Sequence, residues 1–202
     1  MIKTIPTQYL KDLGDLFLKI ESSHASKGSL SLEEGMEEAI SMIVKCSTQG
    51  NKIIFIGNGG SAAISSHQSV DYWKNGGMRA IAFNDTSLLT CVGNDYGYEH
   101  VFEKPIEMFA DKGDLLIAIS SSGKSPNILN GVKMAKSLGC PALTLSGFKP
   151  DNPLRGLGDL NFYVPAPTGA YGFVEISHET LSHCFVDMII ERKLKEIPKH
   201  ES

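Results

Sequence analysis

The sequence predicts an α/β protein, a doubly wound layer of five parallel strands with helices on both faces and further helices at its N-terminal side. Three observations carry this. From Lys52 onward, short continuous apolar runs alternate with segments of helical periodicity, the pattern of strands buried on both faces of a parallel sheet. Two of those runs end in Gly/Ser clusters that lead directly into a helix. The first fifty residues carry helical patterning alone. Nothing in the 202 residues marks an internal boundary or a low-complexity segment. One domain is therefore expected over 1–202, with 1–50 as a helical extension and 51–202 as the α/β core and last helix.

Taken in order, Leu10, Leu13, Phe17 and Ile20 recur at i, i+3, i+7 and i+10, one face of a helix. Ser22-Ser23-His24 reads as a polar break. Ser31 and Glu34 then form a capping box that opens a second helix with Met36, Ile40, Ile43 and Val44 as its apolar stripe, ending at Gly50-Asn51. Both helices are expected to cover the core or to meet another subunit. Strands are predicted over 53–56, 80–83, 115–119, 142–145 and 162–164, with helices starting near Ser61, Thr86, Pro126 and Asn152. The last helix is predicted from about 174 to 194, with Ile176, Thr180, Phe185, Met188 and Ile189 on its apolar side.

Composition narrows the function. Lys and Arg total 19 against 23 Asp and Glu, a formal net charge of −4, which argues against a chain that grips nucleic acid through a basic face. Cys46, Cys91, Cys140 and Cys184 form no C-x-x-C pair, so a disulfide framework or zinc knuckle is not expected and reduced, mostly buried thiols are. The N-terminus lacks the apolar core of a signal peptide, and no run approaches the roughly 20 apolar residues of a membrane span. A cytoplasmic protein without nucleic-acid or membrane partners is the expectation.

The chemistry is expected at two strand ends. One reads Gly57-Asn58-Gly59-Gly60-Ser61 and the other Ser120-Ser121-Ser122-Gly123-Lys124-Ser125, with Pro126 opening the helix that follows. In an open parallel sheet such loops lie where ligands bind. Helix starts favour an anion through unpaired N–H groups and the dipole, serine hydroxyls add donors, and Gly59 and Gly60 let the backbone come close. The spacing is neither that of a P-loop nor that of a dinucleotide fingerprint. One such loop alone reads as a capped turn; two at neighbouring strand ends read as a cradle for the phosphate of a small molecule.

Titratable groups form a second constellation. His67 and Asp71 stand at i, i+4 on the helix that begins at Ser61. On the last helix Glu175, Glu179 and His183 fall within a sector about 80° wide at 3.6 residues per turn, with His178 to one side. A His–carboxylate pair on each of two helices suits a divalent metal, although each pair alone reads as a solvated ion pair. His24, His100 and His200 read as surface groups, Tyr72 and Trp73 as packing residues, and Cys184 as a core thiol.

The ordered set Gly57-Asn58-Gly59-Gly60-Ser61-Ala62-Ala63 with His67, Thr90-Cys91-Val92-Gly93-Asn94-Asp95-Tyr96-Gly97, and Ile119-Ser120-Ser121-Ser122-Gly123-Lys124-Ser125 resembles the sugar isomerase (SIS) domain family, in its phosphoheptose isomerase branch. The resemblance implies a three-layer α/β/α SIS domain, a homotetramer with active sites at subunit interfaces, and a zinc or other divalent ion. It also implies conversion of sedoheptulose 7-phosphate to D-glycero-D-manno-heptose 7-phosphate through an enediol, supplying heptose for bacterial surface polysaccharide. By resemblance His67, Asp71, Glu175 and His183 bind the metal, and Asp71 and His183 move protons. Asn58, Gly59, Gly60, Ser61, Asn94, Asp95, Ser120, Ser121, Ser122, Ser125 and Glu175 contact substrate. The sequence departs from the family pattern with Asp71 for a glutamate and Glu175 for a glutamine, a pair that reads as a metal site kept but retuned; Ser121 for a threonine is a minor change. Some members of the family are binding modules without isomerase activity, one of them associating with the bacterial replication initiator. A non-catalytic protein that binds a sugar phosphate or a protein partner is therefore the alternative.

Overall fold

A computed structural model describes residues 5–196; His200, read above as a surface group, lies outside them. The N-terminal region holds α1 (Pro6–Phe17), a short hairpin of β1 (Glu21–His24) and β2 (Gly28–Leu30), and α2 (Leu32–Thr48). The α/β core follows as β3 (Ile53–Gly57), α3 (Gly60–Lys74), β4 (Ala80–Ala82), α4 (Thr86–Tyr96), α5 (Glu103–Phe109), β5 (Leu115–Ser120), α6 (Pro126–Ser137), β6 (Ala142–Gly147), β7 (Leu160–Val164) and α7 (Tyr171–Glu196).

The sheet runs β2-β1-β7-β6-β5-β3-β4. The five predicted strands are parallel, as expected, while β1 pairs antiparallel with both β2 and β7. The sheet thus has seven strands and is mixed, which corrects the expectation of five. The added pair reads as a polar break because an edge hairpin needs no apolar run: Ser22 alone in β1 is buried, and its hydroxyl donates to the carbonyls of Leu30 and Ser31 at 3.2 and 2.9 Å. The helix expected near Asn152 is a 3-10 turn at Pro153–Gly156, capped by the Asn152 side chain, and α5, only seven residues long, has too few turns to declare a period.

Alternation within each strand splits the core into two layers, giving the three-layer architecture. Ile53, Phe55, Leu115, Ile117 and Leu143 pack with residues of α1, α2, α3 and α7. Ile54, Ile56, Leu116 and Ala118 face α5 and α6 through Ile106, Ile128 and Val132. The capping box on α2 forms as read, with the Ser31 hydroxyl accepting from the Glu34 amide and the Glu34 carboxylate accepting from the Ser31 amide.

The buried face of α7 differs from the predicted one. It consists of Phe173, Val174, Ser177, His178, Leu181, Ser182, Phe185, Val186 and Ile189, while Ile176 is 42% exposed and Thr180 also faces outward. Polar residues conceal that face in the sequence. Ser177 and Ser182 satisfy their hydroxyls on the helix's own carbonyls of Phe173 and His178, at 2.7 and 2.9 Å. Two thiols are buried, Cys46 and Cys140, but Cys91 is exposed and Cys184 half-buried, fewer buried than expected. Tyr72 is fully buried, whereas Trp73 is 53% exposed. His100 is not a free surface group, since it pairs with Glu103.

His178 predicts an acid weakness. Its Nε2 donates to the Ser146 carbonyl at 3.1 Å, and burial pushes its imidazole down from 6.5 to about 4. Between those values the unfolded chain takes up a proton that the folded chain refuses, so stability falls as pH drops through this window. A shift of that size corresponds to about 3 kcal/mol at roughly 1.4 kcal/mol per unit. Urea midpoints of the wild type should therefore drop more steeply between pH 7 and 4.5 than those of His178→Gln; parallel pH dependences would contradict this.

Candidate functional site

Strand order turns back between β3 and β5, which are paired neighbours with Gly57 beside Ile119. This is the switch point at which open α/β sheets bind ligands, and both Gly/Ser loops emerge there. Gly57 lies so close to α3 that a Cβ on it would stand 2.4 Å from the Ser61 carbonyl oxygen. Gly59 takes a positive φ of 56° to turn the chain into the helix. Asn58 ties the two loops together: its side-chain amide and that of Asn127, in the first turn of α6, exchange two hydrogen bonds of 2.9 Å, and the Tyr98 hydroxyl donates to Asn58 Oδ1 at 3.1 Å.

A cavity of about 260 Å³ lies between the loops, lined by Asn58, Gly59, Gly60, Ser61, Ser120, Ser121, Ser122, Ser125, Tyr171 and Glu175. Polar atoms dominate it, and Lys124 is exposed and does not line it. The hydroxyl of Ser121 is buried without a hydrogen-bond partner, which marks a donor held for something else. The expectation of unpaired amides at the start of α3 needs correction. The N–H groups of Ser61, Ala62 and Ala63 donate to the Asn58 and Gly59 carbonyls at 3.0, 3.0 and 3.1 Å, because the tight glycine turn folds those acceptors back over the helix start.

The second cavity, of about 310 Å³, is lined by Gly60, Ala63, Ile64, His67, Glu175, Ile176 and Glu179. It shares Gly60 and Glu175 with the first, and together the two reach the roughly 300–1,000 Å³ usual for small-molecule sites. Contact is close at the junction, since a Cβ on Gly60 would meet the Glu175 carboxylate at 2.4 Å.

Here α3 and α7 bring their titratable groups together. Asp71 Oδ2 lies 3.3 Å from His67 Nε2 and 3.6 Å from His183 Nδ1. Glu179 Oε1 lies 3.6 Å from His67 Nε2 and 3.2 Å from His183 Nε2. The two imidazole rings are 5.3 Å apart. Two bonds, the first partly buried and the second buried, clamp the helices in register: Gln68 Nε2 donates to Glu179 Oε1 at 3.1 Å, and the Tyr72 hydroxyl donates to the Ser182 carbonyl at 3.3 Å. Ligand atoms of His67, Glu179 and His183 all lie within 4.8 Å of one another. Glu179 Oε2 is buried without a hydrogen-bond partner. Two imidazoles, a converging carboxylate and an unsatisfied buried oxygen fit a divalent cation.

Of the residues singled out in the sequence, His67, Asp71 and His183 converge, Glu175 stands at the junction, and Asn58, Gly59, Gly60, Ser61, Ser120, Ser121, Ser122 and Ser125 line the first cavity. Asn94 and Asp95 line neither cavity; they are exposed at the end of α4 and bond to each other at 2.9 Å. Glu179 joins the cluster although the ligand set carried over from the family omits it; its shared sector with Glu175 and His183 was the available signal. Tyr171, which lines the first cavity, has no signal in the sequence. It stacks edge-on against Phe148 at 5.0 Å, a residue held at a positive φ of 61°.

Comparison with known proteins agrees with this geometry. The model of the SIS domain matches residues 21–147, which include both loops. A phosphoheptose isomerase of Aliarcobacter butzleri is 42% identical over 141 residues, 67% of this chain and 74% of that protein. One from Citrifermentans bemidjiense is 35% identical over 169 residues, 81% of this chain and 86% of that protein. The solved structure of phosphoheptose isomerase GmhA from Neisseria gonorrhoeae superposes with a TM-score of 0.78 at 30% identity, covering 91% of this chain and 96% of that one. A phosphoheptose isomerase from Francisella tularensis gives 0.78 at 26% identity, covering 92% and 96%. Switch-point loops, paired cavities and these likenesses converge on one assignment: the chain belongs to the SIS domain family, among its phosphoheptose isomerases.

Proposed function

We propose that this chain interconverts sedoheptulose 7-phosphate and D-glycero-D-manno-heptose 7-phosphate by proton transfer through an enediol. Membership of the family makes it an isomerase of a phosphorylated sugar. The single observation that carries the site assignment is the sharing of Gly60 and Glu175 by the serine-lined cavity and the His–carboxylate cavity. That junction lets one ligand keep its phosphate among Ser61, Ser120, Ser121, Ser122 and Ser125 while its carbonyl end reaches the titratable cluster. His67 and His183, with carboxylate support from Asp71 and Glu175, would hold a divalent ion, zinc first among the candidates for such donors. When bound, that ion supplies polarisation of the carbonyl and the neighbouring hydroxyl.

The residues divide the proton work. Starting from the ketose, Asp71 takes a proton from C1 while the C2 oxygen gains one, giving the enediol. Return of a proton to C2 and loss of the O1 hydroxyl proton leave the aldose. The two ring nitrogens of His183 face different carboxylates, Nδ1 toward Asp71 and Nε2 toward Glu179, so one can exchange a proton while the other stays engaged. Histidine suits that exchange near neutral pH.

Assembly as a homotetramer with sites at subunit interfaces belongs to the same reading. It is supported by the exposure of Asn94 and Asp95 away from their own chain's cavity and by exposed Trp73, Met108 and Phe109. No helix among the described residues is long and apolar enough to cross a membrane, and a cytoplasmic reaction is part of the proposal. Turnover and melting shifts measured together across a panel of sugar phosphates test it. Conversion of sedoheptulose 7-phosphate is expected; a melting shift with no turnover of any sugar would favour a non-catalytic binder, and no shift with any sugar a protein-binding module.

A further inference from the structure

We propose that Glu179 is a cation ligand in this chain, so that His67, Glu179 and His183 form the holding set and Asp71 is left free to act as the base. The inference rests on the site reading above and revises its ligand set, Glu179 taking the place of Asp71 and Glu175. Asp71 Oδ2 and Glu179 Oε1 each face both histidines, but Glu179 meets Nε2 of both rings, one on its own helix and one on α3, whereas Asp71 meets Nδ1 of His183. It is Glu179 whose ligand atom gathers with those of both rings within 4.8 Å. Its orientation is imposed, because the fully buried Gln68 donates to that same oxygen. Oε2 is buried and unpartnered, a state that is unfavourable for a carboxylate oxygen unless a positive group meets it. An ordinary i, i+4 ion pair with His183 accounts for neither the contact to His67 nor the buffering of the carboxylate by a buried amide. Glu175, one turn earlier, has its carboxylate against Gly60 and serves the junction with the phosphate cavity.

The chemical consequence is a donor set of two imidazoles and one carboxylate, which in catalytic zinc sites leaves a position open for substrate oxygen. Asp71, one methylene shorter than glutamate, then need not divide its carboxylate between a cation and a substrate proton.

The test is zinc affinity of the metal-stripped full chain, measured by competition with a chromophoric chelator, together with the visible spectrum of the cobalt-loaded protein. Glu179→Gln should weaken zinc at least 30-fold and alter the cobalt bands, with the metal-free melting temperature checked alongside. Glu179→Asp, which withdraws the charge by one methylene, should show a smaller loss of the same kind and reports independently if the first variant folds poorly. Affinity within threefold of wild type and an unchanged cobalt spectrum in a folded Glu179→Gln, with an active zinc-binding wild type, would overturn this assignment and leave the proposed function standing. A wild type that turns sugar over yet binds neither zinc nor cobalt would overturn it as well, along with the cation part of the proposed site; a wild type that binds zinc but converts no sugar would overturn the proposed function alone.

Discussion

Asp71→Asn should lower turnover of sedoheptulose 7-phosphate by about 10³-fold, within the 10²–10⁴ that positioned general bases contribute. The substitution keeps the shape of the side chain, and the Asn75 side chain that donates to Asp71 Oδ1 at 3.1 Å sits outside the cluster, so folding is expected to survive. What disappears is the acceptor whose Oδ2 stands between two imidazoles. His183→Ala should give a loss of similar size, since in the proposed mechanism it removes both a cation donor and the proton carrier. Asp71→Glu is the informative third variant. Its extra methylene pushes the carboxylate into a space already set by His67 and His183, and a misplacement of about an ångström costs on the order of 100-fold. Stopped-point assays on metal-loaded protein read all three; full activity in Asp71→Asn and His183→Ala would remove the proton-transfer assignment.

Gly57→Ala should injure both stability and activity. A Cβ there would stand 2.4 and 2.5 Å from the carbonyl oxygen and carbon of Ser61. Those are backbone atoms in the first turn of α3, so no side-chain rotation relieves the overlap. The helix must move, and with it Ser61 in the phosphate cavity and His67 and Asp71 in the cluster. Overpacking of this kind costs roughly 1–3 kcal/mol, and the displaced base and donors should lower kcat/KM about 100-fold. Chemical denaturation and steady-state kinetics on the same preparation check both effects. A variant with wild-type stability and rate would show that the close strand–helix contact does not position the site.

Much of this was legible in the sequence for reasons that are physical. Strands β3 and β5 announce themselves because burial on both faces demands continuous apolar runs, and their Gly/Ser ends follow from what a backbone needs to turn into a helix beside a ligand. The capping box of α2 is a local interaction and reads locally. What escaped was decided by tertiary neighbours. The polar hairpin β1–β2 exists because β7 offers it an edge, and Ser22 buries its hydroxyl only because two carbonyls await it. The inner face of α7 hides behind Ser177, His178 and Ser182, which bond to nearby carbonyls in ways that no periodicity reveals. Glu179 lay in the right sector, but choosing it over Glu175 required knowing which turn of α7 faces His67. Asn94 and Asp95, carried over by resemblance, line neither the serine-lined nor the His–carboxylate cavity, a placement that depends on how the chain folds around them.

In the proposed mechanism, side chains of α3 and α7 move a carbon-bound proton on a sugar whose phosphate rests among the serines. Incubation of the metal-replete protein with sedoheptulose 7-phosphate in D₂O, followed by NMR, addresses it directly. An aldoheptose 7-phosphate carrying solvent deuterium at C2 is expected, absent when Asp71→Asn is used. Sugar recovered with no deuterium at C1 or C2 and no aldose formed would contradict it.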